Sequence, residues 1–400
     1  MAYSIQLRYL WHFLTHVLAI YLFTSGFFIT RFELKHVNVC SKLPTEAHVN
    51  DNNNNGNNNN NKCWVQPRFK KAVIIIIDAL RDDFARFDES FQASISAGKD
   101  SSTTKKKKNH NNNIQTQKLS AVSKYKRYYT NHLPVIRETL IKKRKQSRLY
   151  RFDADPPTVT MQRLKGLTTG GLPTFIDFKD NFGSSSNIEE DNLILQMKKL
   201  NKKIVFMGDD TWEDLFNSSK YFTRSYPYPS FNVKDLDTVD NGVIKHLIPE
   251  MKNENGEWDV IIAHFLGVDH CGHRYGPSHP EMSRKLDEMN DVLKDIIEAT
   301  DEDTLLAVFG DHGMTAHGDH GGSTELEVAS SLFLYSGGPE LGGHKDNINV
   351  KPFSYLNVSK TIIDDTKKLF DIKRVSQIDL VPTLSLLIGL PIPYGNLGRV

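Results

Sequence analysis

The chain has 400 residues, 39% of them hydrophobic, and a formal net charge of +2. That is enough apolar material for a large core, and length enough for two or three domains or one large α/β enzyme. The near-balance of charge excludes a global basic field of the kind that grips nucleic acid.

Residues 1–35 read as an N-terminal membrane anchor. The run Trp11–Thr30 holds no Asp, Glu, Lys or Arg. About 20 residues at a rise of ~1.5 Å cross a ~30 Å hydrocarbon core, whereas the apolar part of a cleaved signal peptide spans only about 7–15. Residues 36–70 read as a juxtamembrane linker. Its middle, Asn50–Asn61, is nearly pure asparagine and cannot pack a core. Cys40 and Cys63 flank that stretch and could bridge in an oxidising compartment, leaving Cys271 as a lone thiol. Sequons at Asn217-Ser218-Ser219 and Asn357-Val358-Ser359 agree with a lumenal body.

Residues 71–400 read as the catalytic domain, with a disordered Ser-, Lys- and Asn-rich insertion at about 90–125. Ala72–Ile77 is a continuous apolar run, as expected of a strand buried on both faces. Ile204–Met207, Asp259–Phe265, Thr304–Phe309 and Ser330–Tyr335 are further strand candidates. Helical stretches are expected at Met161–Thr169, Glu190–Leu200 and Pro280–Ala299. The alternation predicts an α/β fold with a mostly parallel central sheet and helices on both faces.

Three of these strands run into acidic or imidazole side chains. Asp78 ends the first; Asp269 and His273 follow the third; Asp311 and His312 follow the fourth. Ligand sites in open α/β sheets lie at the carboxyl ends of strands. Asp269 and His273 stand four apart, so both can face one ion. The segment GDHGMTAHGDHGGS adds Asp311, His312, His317, Asp319 and His320 among glycines. Carboxylate and imidazole donors suit zinc or manganese. His320 is preferred to His317 as the ligand. Asp82 and Asp83 read as capping or solvent-facing, His270 and His279 as neighbours or surface residues, and Cys271 as a bystander. His264 reads as a core histidine. Two such ions can polarise a phosphoryl group, and the chemistry needs a nucleophile. PPTVTMQRLKGLTTGGLP offers Thr158, Thr160, Thr168 and Thr169. Either Thr158 or Thr160 could be a nucleophile or an ordinary N-cap.

The order Asp, Thr, Asp-x-x-x-His, Asp-His, His resembles the alkaline phosphatase superfamily. Within it, the chain is similar to the ethanolamine phosphate transferases of glycosylphosphatidylinositol (GPI) anchor synthesis. The segments PPTVTMQRLKGLTTGGLPTFID, FMGDDTWEDLF, SFNVKDLDTVDNG, WDVIIAHFLGVDHCGHRYGPSHPEM, GDHGMTAHGDHGGSTELEV and LPIPYGNLG carry the resemblance over residues 70–398. GDDTW and DLDTVDNG point to the type acting on the third mannose.

The resemblance implies an alkaline phosphatase-like fold and two divalent metal ions, zinc before manganese. Asp78, Thr160, Asp311 and His312 would surround one ion; Asp269, His273 and His320 would hold the other. Thr160 would be the nucleophile, with Thr158 as runner-up. The implied donor is phosphatidylethanolamine, and the implied acceptor is a mannose hydroxyl of the GPI precursor. The implied setting is the endoplasmic reticulum membrane with a lumenal catalytic domain and a small membrane accessory subunit. Family members continue into many membrane helices after the LPIPYGNLG segment, where this chain ends at Val400. The rival readings are a metal-dependent phosphodiesterase, with water as acceptor, and a non-catalytic GPI-binding membrane domain.

Overall fold

The structure is a computed structural model describing residues 2–27, 34–40, 65–92, 127–172, 187–342 and 372–400. The asparagine-rich stretch, Cys63, the sequon at Asn357 and nearly all of the expected insertion lie outside the described residues. Cys40 is disulfide-bonded, and Cys271 is free and buried.

Eight strands form one sheet. In chain order they are β1 (Lys71–Ile77), β2 (Ser147–Asp153), β3 (Ile204–Asp209), β4 (Arg224–Tyr228), β5 (Val260–Phe265), β6 (Thr304–Phe309), β7 (Ala329–Ser336) and β8 (Arg374–Ser376). Their order across the sheet is β4-β3-β5-β1-β6-β7-β2-β8. Strand β7 runs antiparallel to β6 and β2, and every other pairing is parallel. The expected mostly parallel sheet is therefore mixed, with one reversed strand. β4 carries Pro227 and sits at an edge, where a missing N–H breaks no inner ladder.

β1 shows why an unbroken apolar run is needed. Successive side chains of a strand face opposite ways. Val73, Ile75 and Ile77 join one hydrophobic cluster with Val243, Leu247, Met282, Leu286 and Leu293. Ala72, Ile74 and Ile76 join the other, with Leu164, Leu167, Ile194, Val381 and Leu384. Helices Thr238–Met251 and Pro280–Ala299 thus cover one face; Thr160–Thr169, Leu193–Lys199 and Leu380–Ile388 cover the other. Both faces of the centre are dry, so the ladder is the sole hydrogen-bonding outlet for its backbone.

The N-terminal helix Ala2–Phe27 has 26 residues, long enough at ~1.5 Å per residue to cross a bilayer. Even so, no helix among the described residues is both long and apolar enough to do so. The expected anchor at Trp11–Thr30 runs beyond the described part of this helix. Thr15, Thr24 and Ser25 turn their hydroxyls back onto helix carbonyls. Residues 28–30 lie outside the described residues.

Candidate active site

Because β1, β3, β5 and β6 are parallel neighbours, their carboxyl ends share one edge, and Asp78, Asp209, Leu266 and Gly310 stand on it. Asp78 follows β1 directly, its N–H donating to Phe265 O at 2.9 Å. Asp311 follows β6 and is fully buried; its Oδ1 accepts the N–H of Ala79 at 3.2 Å. Gln377, in the turn after β8, donates to Asp311 O at 2.6 Å and to Gly310 O at 3.1 Å, fixing the backbone there. His312 follows, and its Nδ1 lies 2.8 Å from Gly313 O. A carbonyl only accepts, so Nδ1 carries the proton and Nε2 presents a lone pair.

Thr160 opens the helix Thr160–Thr169, where backbone N–H groups lack helical partners. Its Oγ1 lies 3.3 Å from Asp78 Oδ2 and 3.3 Å from His312 Nε2. His312 Nε2 is 3.4 Å from Asp78 Oδ1 and 3.3 Å from Asp311 Oδ2. Thr158 differs. It is fully buried; its hydroxyl donates to Gly322 O and accepts from Gly321 N–H, each at 2.9 Å. Its hydrogen bonds latch a loop, whereas Thr160 faces the carboxylates.

The second group sits on helix Gly267–Tyr275 and the loop after β6. His273 Nε2 is 3.4 Å from Asp269 Oδ2, and His320 Nε2 is 3.4 Å from Asp269 Oδ1. His320 Nδ1 lies 2.7 Å from Thr158 O, which again leaves Nε2 as the lone pair. The two Nε2 atoms of His273 and His320 face each other at 2.9 Å. The His312 and His320 rings stack at 4.0 Å between centroids, joining the two groups. All seven residues named from the sequence therefore meet at one rim. His317 does not: it is exposed in a turn.

These residues fit cations. Buried oxygens are nearly always hydrogen-bonded, yet Asp78 Oδ1, Asp311 Oδ2 and Asp269 Oδ1 are buried without a hydrogen-bond partner. Ligand atoms of Asp78, Asp311 and His312 lie within 4.8 Å of one another, and so do those of Asp269, His312 and His320. Electrostatics agree. Burial, with the charges of Asp311, Asp269 and Asp209, raises the Asp78 carboxyl well above its ordinary range. Burial also pushes Asp311 up, but His312, His264 and the Ala79 N–H more than offset this and hold it below the ordinary value. Two carboxylates so close cannot both stay charged without a positive partner.

Burial, aided by His320 and opposed by Asp311, lowers His312 to about 4. The metal-free folded chain thus refuses a proton that the unfolded chain accepts near ~6.5. Stability from this group is full above the unfolded value and is lost as pH falls toward about 4. Asp78 works in the opposite sense, so the comparison must isolate His312. In chelator, wild type should lose about 2 kcal/mol more than His312→Gln between pH 7 and pH 5. Urea unfolding at the two pH values measures this; equal slopes would refute it.

Several contributors were invisible in the sequence. Asp240 Oδ1 accepts the N–H groups of Leu266 and Gly267 at 2.9 and 3.1 Å, capping the helix that carries Asp269 and His273. Lys285, fully buried, holds Asp240 Oδ2 at 2.6 Å. Burial lowers the Lys285 ammonium, but Asp240 and Glu288 outweigh it and raise it overall. Removing one partner of such a pair costs about 3–5 kcal/mol. Arg163, buried, ties the helix that begins at Thr160 to Gln377 at 2.9 Å. Asp82 is buried against Arg86 at 2.5 Å, and Asp83 pairs with Arg81 at 2.6 Å. His270 is buried, with Nδ1 2.7 Å from Asp235 O, while His279 caps the following helix. Burial pushes the Cys271 thiol up to about 12, so it stands aside from the chemistry. His264 is a core residue as expected, but its Nε2 also lies 3.3 Å from Asp78 Oδ2.

Residues 183–330 match the family model described as type I phosphodiesterase / nucleotide pyrophosphatase. The chain is 42% identical over 400 residues to GPI ethanolamine phosphate transferase 3, catalytic subunit, of Homo sapiens. The chain belongs to the GPI ethanolamine phosphate transferase family. That alignment takes in 99% of this chain and 31% of the human protein, so the chain spans about a third of the length of that relative. A second family member, GPI ethanolamine phosphate transferase 2 of Schizosaccharomyces pombe, is 41% identical over 261 residues, covering 62% of this chain and 32% of that protein. Type 3 relatives thus align over more of the chain than this type 2 relative. Among solved structures, murine ectonucleotide pyrophosphatase / phosphodiesterase 5 superposes with a TM-score of 0.50 at 12% identity, covering 80% of this chain and 96% of that one. At that identity the likeness concerns the fold, an alkaline phosphatase-like α/β sheet.

Proposed function

We infer that this chain is the catalytic part of a transferase that moves phosphoethanolamine from phosphatidylethanolamine to a mannose hydroxyl, the third, of a GPI precursor. The observation that carries the reading is the Thr160 hydroxyl, aimed at Asp78 and His312 beside buried carboxylate oxygens that have no hydrogen-bond partner. Asp78, Thr160, Asp311 and His312 would hold one divalent ion, and Asp269, His273 and His320 the other, with zinc the first choice for such donors. When bound, the pair supplies charge to a phosphoryl group and lowers the cost of deprotonating a nearby hydroxyl.

The chain's own residues do the rest. Thr160 Oγ1 attacks phosphorus, and the bond from phosphorus to the diacylglycerol oxygen breaks; diacylglycerol leaves with one proton. The mannose hydroxyl then attacks the phosphoethanolamine–threonine ester, Thr160 is released, and the mannose proton returns to it. Asp78 Oδ2, 3.3 Å from Oγ1, is positioned to take the threonine proton, the one that departs with diacylglycerol, and later to hand the mannose proton to Thr160. The helix start at Thr160 adds backbone dipoles that favour negative charge on the transferring group.

Location in the endoplasmic reticulum lumen is supported by the disulfide at Cys40 and by the exposed sequon asparagine, Asn217. Because the donor is a bilayer lipid, the chain works at a membrane surface. The small accessory subunit belongs to this proposal as well.

The test supplies labelled phosphatidylethanolamine to the full chain, with and without GPI precursor. Labelled glycolipid that requires the precursor is the expected result. Free phosphoethanolamine at the same rate in both cases, with no labelled glycolipid, would mean water is the acceptor and the chain is a phosphodiesterase.

A further inference from the structure

The GDDTW segment, residues 208–212, takes no part in the chemistry above. Its geometry assigns it a task. His264 lies on β5, opposite Gly208 of β3 and Ile76 of β1. Gly208 has φ +129, and a Cβ there would fall 2.1 Å from His264 O. Only glycine lets the two strands meet at this point. Asp209, next in the chain, accepts the Thr211 N–H on Oδ1 at 2.8 Å and so starts the short turn of helix carrying Trp212. Asp210 accepts both the N–H and the hydroxyl of Ser230, at 3.1 and 2.6 Å, tying the turn down.

Trp212 is buried at 2% exposure. It packs among Phe206 and Phe216, with centroids at 5.4 and 5.5 Å. Its indole Nε1 donates to His264 Nδ1 at 3.1 Å. An indole nitrogen is a donor only, so Nδ1 must be the bare nitrogen and the ring proton sits on Nε2. Nε2 is fully buried, has no well-formed hydrogen-bond partner, and lies 3.3 Å from Asp78 Oδ2. The other oxygen, Asp78 Oδ1, is the unpartnered one facing His312 Nε2 at 3.4 Å.

We propose that Trp212 and His264 are positioning residues that fix the rotation of the Asp78 carboxylate. The indole selects the Nε2–H tautomer of His264; that N–H points at Oδ2; Oδ1 is then presented to the ion shared with Asp311 and His312. This proposal rests on the two-metal reading above and deepens it. Partners behind metal ligands typically change metal affinity about 10–100-fold when removed. They act on the ligand they touch, so the cost should fall on one ion and spare the other.

The experiment uses the full chain, stripped of metal and titrated with zinc against a chromophoric chelator. Wild type should bind two zinc ions. Trp212→Phe keeps a ring in the aromatic cluster but loses the N–H, and His264→Ala loses the donor itself. Each should weaken one zinc about 10-fold or more, with the second zinc unchanged. His264→Gln can place an amide N–H near the former Nε2 and should restore affinity to within about threefold, a rescue that mere cavity filling by His264→Leu would not give. Circular dichroism and thermal melts report folding, and Trp212→Phe carries the test if His264→Ala does not fold. Folded Trp212→Phe with wild-type affinity at both sites, or with both sites weakened equally, would overturn the proposal. A wild type that binds no zinc would instead sink the two-metal reading and this proposal with it.

Discussion

Thr160→Ala is expected to leave a folded, metal-binding chain that forms no phosphoethanolamine adduct and transfers at least ~10^4-fold more slowly, the scale seen when a nucleophile is removed. Alanine keeps helix propensity at the first position of Thr160–Thr169, so little stability is at stake. What disappears is the one hydroxyl, among the described residues, within 3.3 Å of both Asp78 Oδ2 and His312 Nε2. Intact-mass measurement after incubation with phosphatidylethanolamine reads the result directly. Thr160→Ser should recover the adduct, because a primary hydroxyl can occupy the same place. Thr158→Val is the control. It breaks the latch to Gly321 and Gly322 and lowers stability, yet it should still form the adduct. If Thr158→Val abolished the adduct in a folded chain while Thr160→Ala retained it, the assignment of the nucleophile would be reversed.

Asp311→Asn should remove one bound ion and lower transfer by about 10^2–10^3-fold or more, the loss typical of deleting one preorganised charge at a reacting centre. The amide is nearly isosteric, so the argument is electrostatic. Asp311 is fully buried, and its Oδ2 has no hydrogen-bond partner. Its Oδ1 already takes the Ala79 N–H. An amide would leave Oδ1 served and turn an NH2 group toward His312 Nε2, which presents a lone pair, closing the place where the ion would sit. Metal content by mass spectrometry should drop from two ions per chain to one. Unchanged stoichiometry would contradict its role as a ligand.

The elements most legible in the sequence are those buried on both sides. Thr304–Phe309 and Pro280–Ala299 have the expected bounds because apolar runs and a long amphipathic pattern, opened by Pro280, leave little choice. Strands Ser147–Asp153 and Arg224–Tyr228 were not legible. The first carries arginines on a half-exposed flank and the second a proline at the sheet edge, so neither shows the signature of a buried strand. The site divides in the same way. Asp78, Asp311 and His312 announce themselves by ending apolar runs. Asp269 and His273 do so by their spacing. His264 is different: it lies inside an apolar run, where only three-dimensional proximity to Asp78 and Trp212 gives it a role. Asp240 and Lys285 are hidden for the same reason, since their contacts with each other and with Leu266 span 26 or more positions along the chain.

His320 hangs its ring from the carbonyl of Thr158, two positions before the hydroxyl at Thr160. One short stretch of backbone therefore sets both the Thr160 hydroxyl and the His320 imidazole. On the proposed mechanism, a shift of that stretch when Thr160 is loaded would carry the ring with it, so loading and grip would be geared together rather than tuned apart.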